Sequence, residues 1–249
     1  MAPFCVYSGS LPLFRAVLAH QKTNHMKYLS ICLVLLMSGS SAFGQSDWEK
    51  TKEEDGITVY FRDAAGSNIK EVRIELEIES SLSALMAALH DIDSYSQWVY
   101  KMPEAREVLD SKSDHEVYYY GRSDFPWPLS DRDMVVRSTF QQDPVTKVIT
   151  SRSVAVPDAL PRQADNVRIE HMDITWIITP KEEGGVHIKY LFASDPGGAL
   201  PAWLINLALD KGPMGTFRGL RKELTKRKYR YVSVPGVREL ASNTAFGGK

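Results

Sequence analysis

The chain is expected to fold as an α+β domain in which one curved antiparallel sheet is crossed by a long C-terminal helix. Three observations point there. Short strand-like segments recur between residues 57 and 192, with turn residues separating them. Helical periodicity is strong in two places only, residues 82–89 and 201–227. Helices and strands are thus segregated along the chain, unlike the alternation of βαβ units.

The elements follow in order. Trp48 to Asp55 is polar and reads as a short helix ending at Gly56. Ile57, Val59 and Phe61 alternate with polar neighbours, which predicts a strand, and Gly66-Ser67-Asn68 predicts a turn. Val72, Ile74, Leu76 and Ile78 alternate with Arg73, Glu75, Glu77 and Glu79. That is a strand with one face toward a core and one toward water. At Ser80 the period changes: Leu82, Leu85, Met86 and Leu89 share one helical face behind serines that can cap it. Residues 91–98 predict a further short helical turn.

Five strands are expected near 104–110, 116–123, 133–142, 146–156 and 167–179, and a sixth through Val186, Ile188, Tyr190 and Phe192. Pro126, Pro128, Pro144, Pro157, Pro161 and Pro180 fall between strands, where a missing donor does little harm. The last helix carries two apolar stripes: Trp203, Leu204, Leu207 and Ala208, then Met214, Phe217, Leu220 and Leu224. Gly212-Pro213 between them is expected to kink or break it. A large twisted sheet curls, and an apolar helix across its concave face leaves a tunnel.

The first 44 residues differ from the rest. They hold Arg15, Lys22 and Lys27 and no acidic residue. Met26-Lys27 precedes an apolar run from Tyr28 to Met37, and Ala42-Phe43-Gly44 fits a small-x-small cleavage site before Gln45. This is the layout of a secretory signal peptide, with either Met1 or Met26 as the start. The run is too short for a membrane anchor, which needs ~20 residues. The expected organisation is a presequence and signal peptide over 1–44, a domain over 45–230 and a tail over 231–249. Export would place the domain in the periplasm or outside the cell.

Cys5 and Cys32 both precede the expected cut, so the mature fold needs no disulfide. Removing three basic residues from 30, against 31 acidic ones, leaves 27 against 31, a net charge of −4. Nucleic acid, which requires a basic footprint, is not an expected partner. A monomer is expected.

Four stretches carry a family resemblance. They are Ser94-Tyr95-Ser96-Gln97-Trp98, Pro126-Trp127-Pro128 with Asp131-Arg132-Asp133, Val167-Arg168-Ile169 leading to Trp176, and Asp195 to Asn206. In this order and spacing, residues 48–228 resemble the START family of lipid-binding domains. The resemblance implies a helix-grip fold whose tunnel takes an apolar small molecule such as a sterol or phospholipid, with no cofactor. Some members of that family hold an acid and an arginine in the tunnel. The matching positions here are near Tyr119 and at Ser138, with Arg137 one place off and facing outward. The resemblance therefore implies a neutral polar contact between Tyr119 and Ser138, set for a ligand hydroxyl or carbonyl.

Strand parity selects the tunnel-facing side chains. On 133–142 these are Met134, Val136, Ser138 and Phe140. On 167–179 they are Met172, Ile174, Trp176 and Ile178. The last strand gives Ile188 and Tyr190, beside Val186 and Phe192, and the closing helix gives Trp203, Leu204 and Leu207. Ordinary core packing would select the same residues.

Common catalytic and phosphate-binding motifs are absent from the sequence. His171, Asp173 and His187 could form a metal or acid–base site, but parity puts them on the outer face. The basic cluster Arg218, Arg221, Lys222, Lys226, Arg227, Lys228 and Arg230 fits cations at a helix C-terminus or transient contact with a membrane surface. Three functions fit: non-catalytic binding of a lipid, an enzyme of the same grip such as a cyclase or hydrolase of an aromatic compound, and an envelope interaction protein with a filled tunnel. The enzyme needs a titratable group in the tunnel, and parity places none there.

Overall fold

The computed structural model describes residues 48–64, 70–198, 200 and 202–240, the side chains of 202–210 excepted. The chain divides into residues 1–45, which lie outside the described residues, and the unit Ser46–Lys249.

That unit is built on one sheet. Its strands are β1 (Glu49–Glu54), β2 (Ile57–Asp63), β3 (Lys70–Ile78), β4 (Glu104–Leu109), β5 (Glu116–Ser123), β6 (Arg132–Gln142), β7 (Ile149–Ala155), β8 (Val167–Arg168), β9 (His171–Pro180) and β10 (Val186–Asp195). The spatial order is β1-β2-β3-β10-β9-β7-β6-β5-β4, antiparallel throughout, with β8 added in parallel beside β6. The helices are α1 (Leu82–His90), α2 (Tyr95–Trp98), α3 (Ala202–Glu223) and α4 (Arg227–Arg230).

Residues 49–54 are a strand, not the expected helix. Glu54 pairs with Ile57, so Asp55-Gly56 is a two-residue hairpin turn. Both turn residues have positive φ, 54° and 66°, the geometry of a type I′ turn, for which Asp-Gly is a preferred sequence. Turn chemistry therefore overrides the polar composition of the segment. The expected strand over 167–179 is two strands, β8 and β9, which pair with different neighbours. The closing helix is not broken at Gly212-Pro213 but runs continuously from Ala202 to Glu223. A proline removes one intrahelical donor. Burial of Met214, Phe217 and Leu220 holds the second stripe in place.

This helix also approaches α2 at backbone distance. A side chain at Gly219 would overlap the Trp98 carbonyl, and one at Gly215 would meet the Tyr100 ring at 2.6 Å. Only glycine permits the contact.

Residues 231–240 are docked. Val234 and Val237 pack on the core, and Gln142 exchanges two 2.8 Å hydrogen bonds with the Arg238 backbone. The Glu239 carboxylate accepts from the backbone N–H of Leu82 at 3.0 Å and Ser83 at 2.7 Å, so it caps the start of α1.

Candidate ligand cavity

The core has two clusters. The larger joins β2, β3, β9 and β10 to α1 and α3, through residues such as Ile74, Leu85, Ile188 and Phe217. The smaller gathers Ile92, Met102, Val117, Tyr119, Met134, Val136, Ile169 and Met172. Tyr95, Val99, Ile174 and Phe192 pack against both. At this seam the filling stops, and the same four residues border a cavity of about 270 Å³.

Aromatic rings form much of its wall. Trp176, on β9, packs against Tyr190 at 4.9 Å and Phe217 at 5.4 Å between ring centres. Tyr95 lies edge-on to Trp98 at 4.9 Å and to Tyr119 at 5.6 Å. Met102, Met134, Ile169 and Met172 also line it. No Asp, Glu, Lys, Arg or His side chain is among the described residues that line it.

Of the side chains selected from sequence, Tyr119, Met134, Met172, Ile174, Trp176 and Tyr190 border the cavity. Val136, Phe140 and Ile188 lie elsewhere, in solid core. Phe140 is wedged between the rings of His90 and His115, at 5.1 and 4.6 Å. Parity chose the correct face but could not tell where along it packing gives way to space. The side chains of Trp203, Leu204 and Leu207 lie outside the described residues.

The Tyr119–Ser138 contact does not form. Tyr119 stands opposite Val136 and Ser138 opposite Ser153 in the register, and the Ser153 hydroxyl donates to Ser138 Oγ at 2.9 Å. His171, Asp173 and His187 do not assemble either. His171 pairs with Asp195 and His187 with Thr179, at opposite ends of the β9–β10 ladder, and Asp173 is bound by Arg152. No group able to hold a metal ion exists among the described residues.

Arg132 and Pro196, which belong to stretches that carry the family resemblance, shape the cavity rim, a role that local pattern does not reveal. Arg132, 3% exposed, donates to the Pro196 carbonyl at 3.2 Å and the Gly197 carbonyl at 3.1 Å, and lies over the Phe125 ring at 4.3 Å. Phe125 and Pro196 both line the cavity. Arg132 thus ties the β5–β6 loop to the loop before α3. At the tip of the first loop, Trp127 is 93% exposed.

The basic cluster is largely committed to neighbours. Arg218 pairs with Glu54 and Asp55, Lys226 with Glu223, and Lys228 with Asp91. Arg221 donates to the backbone of Asp55, Gly56 and Glu77.

The model of the START domain matches residues 39–230. The chain belongs to the START domain family. A STAR-related lipid transfer protein fragment from Xanthomonas axonopodis is 32% identical and superposes with a TM-score of 0.67, over 72% of this chain and 99% of that one. An uncharacterised Pseudomonas aeruginosa protein is 29% identical over 73% of this chain and 88% of its own length. Mouse phosphatidylcholine transfer protein is 26% identical over 67% of this chain and 78% of its own length. The START architecture, a curved antiparallel sheet gripping a C-terminal helix, is the one described above.

Proposed function

We propose that this START domain binds one apolar, lipid-like molecule in the cavity and carries it without changing it chemically. The observation behind this is the uncharged aromatic wall at the seam of the core. Apolar pockets with a few polar groups are the usual form of a small-molecule site. Tyrosines are the titratable groups there, and burial pushes Tyr119 and Tyr190 well above the ordinary phenol range. They remain protonated and are poorly suited to acid–base chemistry at neutral pH. The similarity to lipid and phosphatidylcholine transfer proteins supports the same reading.

The domain is proposed to act outside the cytoplasm as a monomer, after removal of residues 1–44. Exchange with a bilayer would involve brief contact through the exposed Trp127, since tryptophan favours the membrane–water interface. The test is transfer of a pyrene-labelled lipid between donor and acceptor vesicles. Transfer should rise in proportion to protein concentration, and Trp127→Ala should slow it while leaving equilibrium uptake intact. Vesicles that exchange no faster with protein than without it would argue against a carrier.

A further inference from the structure

The cavity reaches the surface beside Tyr100. This residue lines the cavity and is 43% exposed, so the wall there is one side chain thick. The other aromatic wall residues are buried or half-buried. Each of those is also held, by a neighbouring ring or, for Phe125, by the Arg132 guanidinium. Among the described residues Tyr100 has neither support, and its hydroxyl makes no hydrogen bond with them.

What the ring rests on is backbone. A Cβ placed at Gly215 would lie 2.6 Å from the ring and 3.2 Å from the Tyr100 Cβ, and one at Gly212 would lie 3.9 Å from the ring. The two glycines leave a bare shelf on α3, and Gly212, Pro213 and Thr216 of that helix line the cavity beside it. A ring on such a shelf is held by dispersion alone, at ~0.1–0.2 kcal/mol for each pair of atoms in contact.

The frame around the ring is fixed. The Tyr100 N–H donates to Thr216 Oγ1 at 3.1 Å, and the Lys101 carbonyl accepts from the Asp124 N–H at 2.9 Å. The same half of α3 is held by buried Met214, Phe217 and Leu220 and by the close approach of Gly219 to the Trp98 carbonyl. Lifting the helix here would disrupt these contacts. Turning the Tyr100 side chain disrupts none of them, and exposed side chains change rotamer in ps–ns.

We infer that the Tyr100 ring is a gate of the cavity. It closes the wall when it lies on the shelf of Gly212 and Gly215, and it opens the wall by rotating into solvent while the backbone stays in place. This rests on the proposed binding of an apolar molecule and assigns that molecule's way in. A gate slows entry and exit alike, whereas a plain wall contact acts mainly on exit.

The test is stopped-flow exchange of an uncharged apolar dye, N-phenyl-1-naphthylamine, with the purified protein. With the open rotamer a minor state of about 10%, removing the ring should raise both the association and the dissociation rate about tenfold. Tyr100→Ala should show this. Tyr100→Phe should keep the slow exchange, because the ring and not the hydroxyl closes the wall. Gly215→Ala puts a methyl where the ring rests and should also speed both rates, with little further gain when it is combined with Tyr100→Ala. Unchanged rates in Tyr100→Ala, or faster dissociation with association unchanged, would overturn the inference and leave the binding function standing. If the dye does not bind the unsubstituted protein, the binding function and the gate fall together.

Discussion

Arg168 and Asp133 meet through two hydrogen bonds of 2.9 and 3.0 Å, with both side chains shut off from water. The remaining guanidinium protons go to the carbonyls of Pro157, Leu160 and Pro161. The pair fastens β8 to β6 beside Ile169 and Met134, two residues of the cavity wall. Removing one partner strands a buried charge, which costs about 3–5 kcal/mol. Asp133→Ala should lower unfolding free energy by that amount in urea titrations. A loss below about 1 kcal/mol would show that the pair contributes little.

Glu239 and the start of α1 give a second prediction. Two N–H groups of the first turn depend on this carboxylate, 157 and 156 residues away in sequence. Loss of such a cap costs about 1–2 kcal/mol. Glu239→Ala should show that loss, and truncation after Arg230 a larger one, because Val234 and Val237 leave the core as well. A truncated protein as stable as the intact one would mean that residues 231–240 hold nothing in place.

Phe140 and Met134 share a strand face and have different fates. Phe140 is packed on all sides, whereas Met134 borders the cavity. Phe140→Ala should cost about 3–5 kcal/mol in stability and leave probe affinity unchanged. Met134→Ala should cost less, since its site already adjoins free space, but should alter affinity severalfold. The reverse pattern would relocate the ligand toward α1.

Much of the architecture was legible because β3 and the helix at 82–90 have unambiguous periods, and a half-buried strand or helix must show one. Besides the continuity of the closing helix through Gly212-Pro213, two features escaped. The Asp55-Gly56 hairpin depends on two φ angles, so the polar residues before it looked helical. The division between β8 and β9 depends on which neighbour each pairs with. For the cavity, alternation identified the concave face, and Tyr119, Met134, Met172, Ile174, Trp176 and Tyr190 border the space. It could not separate Met134 from Phe140, because alternation is identical at both. The rim contacts of Arg132 join residues 64 and 65 positions apart, a separation at which local pattern is silent.

His90 supplies a pH test. Its imidazole is pressed against Phe140, and burial, with the His115 charge adding to it, lowers its pKa from the ordinary 6.5. The unfolded chain then takes up a proton that the folded one resists, so this group's contribution to stability falls as pH drops below about 6.5. His90→Gln should flatten the dependence between pH 7 and 5. An unchanged slope in that variant would assign the dependence to other groups.

The most direct test of the cavity's role is native mass spectrometry of the protein purified from its own cells without detergent. The account predicts one adduct per chain, of a single apolar and uncharged molecule, released on denaturation. A preparation that carries no adduct and takes none up from cell lipid extract would contradict it.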